Sequence, residues 1–234
     1  MKYQRYNRRK KTRGFGFFSG RSVVFWLIAI NILVSAIAFI LFARDESYIA
    51  LFALKPSSIL AGQYLWTLVV HMFAHGGFGH LFINMFVLFS LGGLCERIIG
   101  QKRFIWFYLV SGLFAGILSV VLAGFFGFGF GERVFGSPEV FMVGASGAIF
   151  AIAGLYVMLL PKLKFMIIFL PFFSLPAYVM IPGVLFLVWG LSIWFGWPVG
   201  NVAHFGGFLA GIGYGWYLKN KYKQKVTRLQ RHFR

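Results

Sequence analysis

Residues 23–43 carry the sequence VVFWLIAINILVSAIAFILFA, an apolar run without a single charge. A helix of about 20 residues crosses the roughly 30 Å hydrocarbon core of a bilayer, so this run predicts a membrane-spanning helix. The run is about twice as long as the apolar part of a secretory signal and lacks a convincing cleavage site. A signal peptide is therefore not expected.

The rest of the chain repeats this composition. Apolar residues make up 59% of the 234 residues, aromatic residues 21% and charged residues 12%, far from the composition of a soluble domain. Five further runs have a spanning length, at about 76–94, 104–125, 142–160, 177–195 and 201–218. The predicted fold is all-α, a polytopic membrane protein with a bundle of six transmembrane helices.

The segment 163–176 is apolar but sits among prolines at 171, 176 and 182. Because proline opens a helix more easily than it continues one, the fifth helix is predicted to begin after Pro176. The segment 163–176 is then a hydrophobic loop or edge segment. A single broken helix is the alternative.

Lysine and arginine are concentrated at the two ends of the chain. Of 23 such residues, eight precede residue 22 and seven follow residue 218. The loops 95–103 and 160–164 hold five more, whereas the alternate loops hold three. Because basic loops stay on the cytoplasmic side, both termini are predicted to be cytoplasmic, in a multi-pass protein of the cell membrane.

These ends divide the chain into a basic tail at 1–22, a transmembrane domain at 23–218 and a second basic tail at 219–234. The tails are expected to contact anionic membrane lipids. Nucleic acid is not an expected partner. Basic segments that bind nucleic acid normally accompany a recognisable nucleic-acid-binding fold, and the sequence shows no motif of one. The oligomeric state is left open.

Polar residues interrupt the apolar pattern at the starts of three predicted spans. The second begins within HMFAHGGFGHLFIN (71–84), the fourth with GASG (144–147) and the sixth within NVAHFGGFLAG (201–211). These three spans run in the same direction, from outside to inside, so their openings share one depth near the outer face. Polar groups are costly inside a membrane unless they meet one another or line a cavity.

Small residues suggest how these openings meet. Gly207, Gly211 and Gly215 form one helical stripe below His204, and Gly147 and Ala151 offer a matching face below Ser146. Such faces let two helices approach closely, which would bring Ser146 and His204 together. The alternative is that the glycines only pack.

A serine and a histidine in hydrogen-bond contact are the minimum for nucleophilic catalysis. None of the five acidic residues is well placed to orient His204, so the prediction is a dyad. His80 and Asn84 lie one turn apart and, with the Ser146 backbone N–H, are candidate donors to an oxyanion. The alternative for Ser146 is a packing serine, and GASG lacks the final glycine of G-x-S-x-G because Ala148 follows it.

No metal or cofactor is expected. His71 and His75 have the spacing of metal ligands, but HMFAH lacks the glutamate that a zinc protease uses. Cys95 is the only cysteine, which excludes an intrachain disulfide, and a nucleophilic role is not expected of it.

The joint pattern resembles the rhomboid intramembrane serine proteases. It comprises H-x3-H-x4-H-x3-N entering the second span, Glu96-Arg97 with Gly100 and Arg103-Phe104 after it, GASG at the fourth and A-H-x2-G-x3-G at the sixth. The resemblance covers nearly the whole chain from the first span to the sixth. It points to the compact six-helix members found in prokaryotes.

The resemblance implies Ser146 as nucleophile and His204 as general base. His80 and Asn84 would assist the Ser146 and Ala145 backbone in an oxyanion hole flanked by Gly144 and Gly147. His71, His75 and Trp66 would be structural residues near the site. Two positions depart from the common pattern. Trp66 is followed by Thr67 where many members have arginine, and Phe150 stands where many have a tyrosine stacked on the histidine.

The expected function is cleavage of peptide bonds in or next to the transmembrane segments of other membrane proteins, near the outer face. The segment 163–176 and the fifth span are candidates for a lateral gate. The rival hypothesis is a non-catalytic protein that binds transmembrane clients. A transporter is disfavoured, because its polar residues should continue to the inner side.

Overall fold

The computed structural model describes residues 22–167, 170–197 and 199–233. All of the predicted N-terminal tail except Ser22 lies outside the described residues. Seven helices of ten or more residues are present in the described part: α1 Val23–Arg44, α2 Phe78–Ile99, α3 Gln101–Phe126, α4 Ser146–Leu159, α5 Ala177–Phe195, α6 Asn201–Lys221 and α7 Lys223–His232. Shorter helices occupy two of the loops, at Glu46–Tyr48, Ile49–Phe52, Pro56–Leu60, Thr67–Val70 and Gly131–Phe135.

The predicted class is confirmed, since the chain folds as a helical bundle with several membrane-spanning helices. Among the residues that the structure describes, four helices are long and apolar enough to cross a membrane, namely α1, α2, α3 and α5. α4 has 14 residues and so measures only about 21 Å at 1.5 Å per residue. The glycines, Asn201 and lysines of α6 lower its hydropathy, so the count of six spans stays a prediction.

A two-stranded hairpin precedes α5. β1 (Lys164–Ile167) pairs antiparallel with β2 (Leu170–Pro176), with Phe165 opposite Leu175 and Lys164 opposite Pro176. The predicted non-helical segment is thus confirmed, although the pairing into strands was not foreseen. The alternative of a single broken helix is wrong, because Pro176 is extended at φ −65° and ψ 150° and α5 begins directly after it.

α4 lies at the centre of the bundle and packs against α2, α3, α5 and α6. Its closest neighbour is α6, and the reason is the predicted glycine stripe. A Cβ atom on Gly207 would overlap the Gly147 carbonyl oxygen, and one on Gly211 would overlap the carbonyl oxygen of Ala151. Only glycine lets the two backbones come this close, which places the first turns of α4 and α6 side by side.

Glu96 connects the starts of α1 and α3 to the end of α2. Its buried carboxylate accepts hydrogen bonds from the Ser22 hydroxyl at 2.9 Å and from the Val23 and Val24 N–H groups at 3.2 and 3.0 Å. Gln101 Nε2 donates a further bond at 2.9 Å. The carboxylate therefore satisfies N–H groups that the first turn of α1 leaves unpaired, at the helix end that favours a negative charge.

Candidate active site

Ser146 begins α4, and the backbone before it is held in place by the loop between α1 and α2. Leu54 and Met142 exchange backbone hydrogen bonds of 2.9 and 2.8 Å, and Gly144 N–H donates to the His71 carbonyl at 2.8 Å. An ion pair of 2.6 Å joins Lys55 to Glu139 in the same region. The hydrogen bond from Lys55 holds the pKa of the Glu139 carboxyl below its usual range.

Gly144 needs to be glycine for two reasons. Its φ of +130° is a conformation that side chains rarely adopt. In addition, an added Cβ would lie 2.9 Å from His80 Cε1 and 3.0 Å from His80 Nε2. The absent side chain therefore allows the His80 ring to lie directly beside the residue that leads into Ser146.

His204 lies in the first turn of α6, and its Nε2 is 2.8 Å from Ser146 Oγ. The packing of Gly207 against Gly147 one turn below brings these side chains into contact. In the described part of the chain no carboxylate pairs with His204. The predicted contact between Ser146 and His204 is therefore present, and its role as a catalytic dyad stays a prediction.

Phe150 stacks on the imidazole of His204, with ring centroids 4.6 Å apart and planes inclined by 26°. It lies one turn below Ser146 on α4, so α4 supplies both the hydroxyl and the ring that flanks the histidine. The structure therefore places Phe150 in the stacking position that the resemblance assigns to an aromatic ring.

Asn84 is close to the site but does not line its cavity. Its side chain is buried, and Nδ2 donates to the carbonyl of His80, one turn earlier in α2, at 3.0 Å. His80, by contrast, lines the cavity. Of the two predicted oxyanion donors from α2, only His80 faces the dyad in this structure.

His71 and His75 have separate partners. Nδ1 of His71 lies 2.7 Å from the Thr67 carbonyl, and Nδ1 of His75 lies 3.0 Å from Ser35 Oγ on α1. Trp66 lies further from the dyad, where it is 53% exposed and donates from Nε1 to the Leu51 carbonyl at 3.1 Å. Trp66 does not line the cavity, whereas His71 does.

A cavity of about 1220 Å³ opens beside Ser146 and His204. Its wall includes three small residues of α3, namely Gly112, Ala115 and Gly116. The sequence analysis did not identify six further polar residues of its lining, namely Ser119, Glu132, Arg133, Ser137, Ser192 and Asn201. The available signal for Ser119 and Ser192 was a polar residue within an apolar run.

Comparison with known proteins assigns the family. The model of the Rhomboid domain matches residues 62–221, which include every element around the dyad. The chain belongs to the rhomboid family. Family membership and the four spanning helices together show a multi-pass membrane protein.

Several curated relatives of this rhomboid chain are known. RHOMBOID-like protein 5 of Arabidopsis thaliana is 34% identical over 153 residues, which is 65% of this chain and 44% of that protein. The human presenilin-associated rhomboid-like protein, mitochondrial, is 29% identical over 199 residues, 83% of this chain and 48% of the relative. Rhomboid protease GluP of Bacillus subtilis is 29% identical over 174 residues, 72% of this chain and 29% of that protein. The chain spans about half the length of such relatives, or less.

Proposed function

We propose that this rhomboid chain is an intramembrane serine endopeptidase that cleaves peptide bonds in or next to transmembrane segments of other membrane proteins. The observation that carries the proposal is the 2.8 Å contact between Ser146 Oγ and His204 Nε2. The cavity beside it and the relative named a rhomboid protease support the same reaction.

In the proposed reaction His204 Nε2 takes the hydroxyl proton as Ser146 Oγ attacks the substrate carbonyl carbon. The C–N bond then breaks, and His204 returns the proton to the leaving amine. Next, His204 takes a proton from water, whose oxygen attacks the acyl ester. His204 then returns this proton to the Ser146 oxygen as the ester C–O bond breaks, and the new carboxyl product is released.

The developing negative charge on the carbonyl oxygen needs preorganised donors. The backbone N–H groups of Ala145 and Ser146 lie where α4 begins, and the first N–H groups of a helix have no partner within it. His80 lies beside them through its contact with Gly144. The Asn84 amide would join this set after giving up its hydrogen bond to the His80 carbonyl.

In a helical substrate the backbone carbonyl groups are occupied by the helix's own hydrogen bonds. The segment with the scissile bond therefore has to unwind before Ser146 can attack it. The proposed lateral gate consists of the hairpin 164–176 and α5. Two polar links hold the outer half of α5: Trp189 Nε1 donates to the Val134 carbonyl at 3.1 Å, and Asn201 Nδ2 donates to Ser192 Oγ. Opening α5 at this end would break both links.

The decisive test is a reporter membrane protein with a cleavable transmembrane segment, co-expressed with Ser146→Ala or His204→Asn. Removal of either member of such a dyad is expected to lower the cleavage rate by about 10³-fold or more. Ser111→Ala and His232→Asn are the matched controls, because neither residue lines the cavity. Cleavage retained in Ser146→Ala would rule out the dyad.

A fluorophosphonate probe separates the protease from the non-catalytic binder of transmembrane clients. The protease should be labelled on Ser146, and the label should disappear in His204→Asn. A folded wild-type protein that binds clients but takes no label would favour the binder.

A further inference from the structure

Three basic side chains converge on Tyr222, the residue between α6 and α7. The Arg103 guanidinium carbon lies 5.4 Å from the centre of the Tyr222 ring, and the ammonium nitrogens of Lys221 and Lys225 lie 5.9 and 5.6 Å from it. The three residues come from different helices, since Arg103 lies in the first turn of α3, Lys221 ends α6 and Lys225 lies in the first turn of α7. The fold therefore gathers positive charges that are separated in the sequence.

The hydrogen bonds of this cluster leave only donors for a ligand. Arg103 Nη2 donates to the Tyr222 hydroxyl oxygen at 3.2 Å, and Lys221 Nζ donates to the Tyr217 hydroxyl oxygen at 2.6 Å. Because each phenol oxygen accepts from a cation, its own O–H is available to donate outward. Guanidinium and ammonium groups have no acceptor atom at all. Such a set of donors fits an anion with several acceptor oxygens, and a phosphate group is such an anion.

The charges of the cluster are not neutralised within the protein. All five acidic residues are in the part of the chain that the structure describes, and none of them pairs with Arg103, Lys221 or Lys225. Glu96, the one acidic residue on the predicted inner side, is buried and caps α1. Like charges that lie close together repel one another, so a bound anion would stabilise the cluster.

The place of the cluster in the bundle favours a lipid over a dissolved ion. It lies at the predicted inner ends of α3 and α6, beside their apolar parts. Trp106, one turn along α3 from Arg103, is 69% exposed, and Trp216 of α6 is 62% exposed. Exposed tryptophans near the ends of spanning helices are typical of the headgroup region of a bilayer. A lipid phosphate at this depth would meet the cations while its acyl chains lie along the apolar surface of the helices.

We propose that Arg103, Lys221 and Lys225, together with the hydroxyl groups of Tyr217 and Tyr222, form a binding site for the phosphate group of an anionic lipid in the inner leaflet. The basic tails attract an anionic membrane through their total charge, whereas this site holds one headgroup at defined side chains. The site is separate from the candidate active site, and it does not depend on the proposed protease function.

Native mass spectrometry of the full chain in detergent tests the site, with phosphatidylglycerol as the anionic lipid and phosphatidylcholine as the zwitterionic comparison. The wild-type protein should bind a first phosphatidylglycerol more tightly than a second one, and more tightly than phosphatidylcholine. The triple variant Arg103→Gln, Lys221→Gln, Lys225→Gln loses the charge-assisted hydrogen bonds, so its first phosphatidylglycerol should bind roughly tenfold more weakly or worse. Equal binding of the two lipids by the wild-type protein would overturn the proposal.

The matched control is the triple variant Lys102→Gln, Lys219→Gln, Lys223→Gln. It removes the same charge from exposed positions one or two residues from each member of the cluster. Its first phosphatidylglycerol should bind as in the wild type. An equal loss of lipid binding in both triple variants would show that only total charge matters, which would overturn the proposal.

Two further measurements keep the proposal testable. If the first triple variant fails to fold, Lys225→Gln and Lys223→Gln replace the triple variants, and only Lys225→Gln should weaken lipid binding. Equal binding by these two variants would overturn the proposal. Calorimetric titration of the wild-type protein with inorganic phosphate identifies the source of the anion. Inorganic phosphate should bind more weakly than phosphatidylglycerol, and tighter binding would assign the site to a dissolved ion and overturn the lipid assignment.

Discussion

At the scale of single residues, Phe150 shows how packing replaces a missing carboxylate. The His204 imidazole has the Ser146 hydroxyl at Nε2 and the Phe150 ring against its face. An aromatic pair of this kind is worth about 0.5–1.5 kcal/mol beyond its buried area. The stacked ring therefore narrows the orientations of an imidazole that no acidic side chain holds.

Replacing Phe150 with alanine tests this contribution. The expected result is a fall in kcat of about 2- to 13-fold, which is 0.5–1.5 kcal/mol expressed as a rate, with little change in KM. Phe150→Tyr keeps the ring and should match the wild type. Steady-state cleavage of a reporter peptide measures both variants, and an unchanged kcat in Phe150→Ala would contradict the orienting role.

At the scale of the secondary-structure elements, the contact between α4 and α6 assembles the site. The residues at 207 and 211 meet the backbone of α4, where no side-chain atom can be accommodated. Gly213 lies on the same helix but has open space around its missing Cβ. Gly207 and Gly211 are therefore needed for the close packing of α6 on α4, whereas Gly213 is not.

This difference predicts unequal effects of two alanine substitutions in α6. Gly207→Ala should push α6 away from α4, cost about 1–3 kcal/mol of stability and reduce cleavage sharply, because Ser146 and His204 separate. Gly213→Ala should be neutral or slightly stabilising, since alanine favours a helix more than glycine does. Unfolding in detergent and reporter cleavage measure both, and equal behaviour of the two variants would contradict the close-packing argument.

At the scale of the whole molecule, charge is distributed unevenly between the two ends of the bundle. The one acidic residue on the predicted inner side, Glu96, is buried and caps α1, whereas the other four lie in the predicted outer loops. α7 adds basic residues to the predicted inner end, and it folds back so that Val226 is buried. The prediction that both termini are cytoplasmic rests on the lysine and arginine counts of the loops and tails, and the acidic residues add little to it.

Cysteine labelling in intact cells tests the orientation of the chain. In a Cys95→Ala background, a membrane-impermeant maleimide should label Ser137→Cys, which lies beside the cavity in a predicted outer loop. Lys162→Cys should react only after the cells are opened. Labelling of Lys162→Cys in sealed cells would invert the topology and place the dyad at the inner face.

The sequence alone was sufficient to predict three features. These are the membrane class, the start of the fifth helix directly after Pro176 and the contact between Ser146 and His204. These features depend on local rules: apolar length, the backbone of proline and the four-residue spacing of glycine on one helical face. Each of these rules depends on residues that are close together in the sequence.

Other features were decided only by tertiary structure, because they depend on groups far apart in the chain. The sequence does not show that Asn84 turns to its own backbone, that Glu96 caps a helix more than 70 residues away, or that 164–176 pairs as a hairpin. Nor does it show Ser35 beside His75. In each case a polar group has several acceptable partners, and the packing of the helices selects one of them.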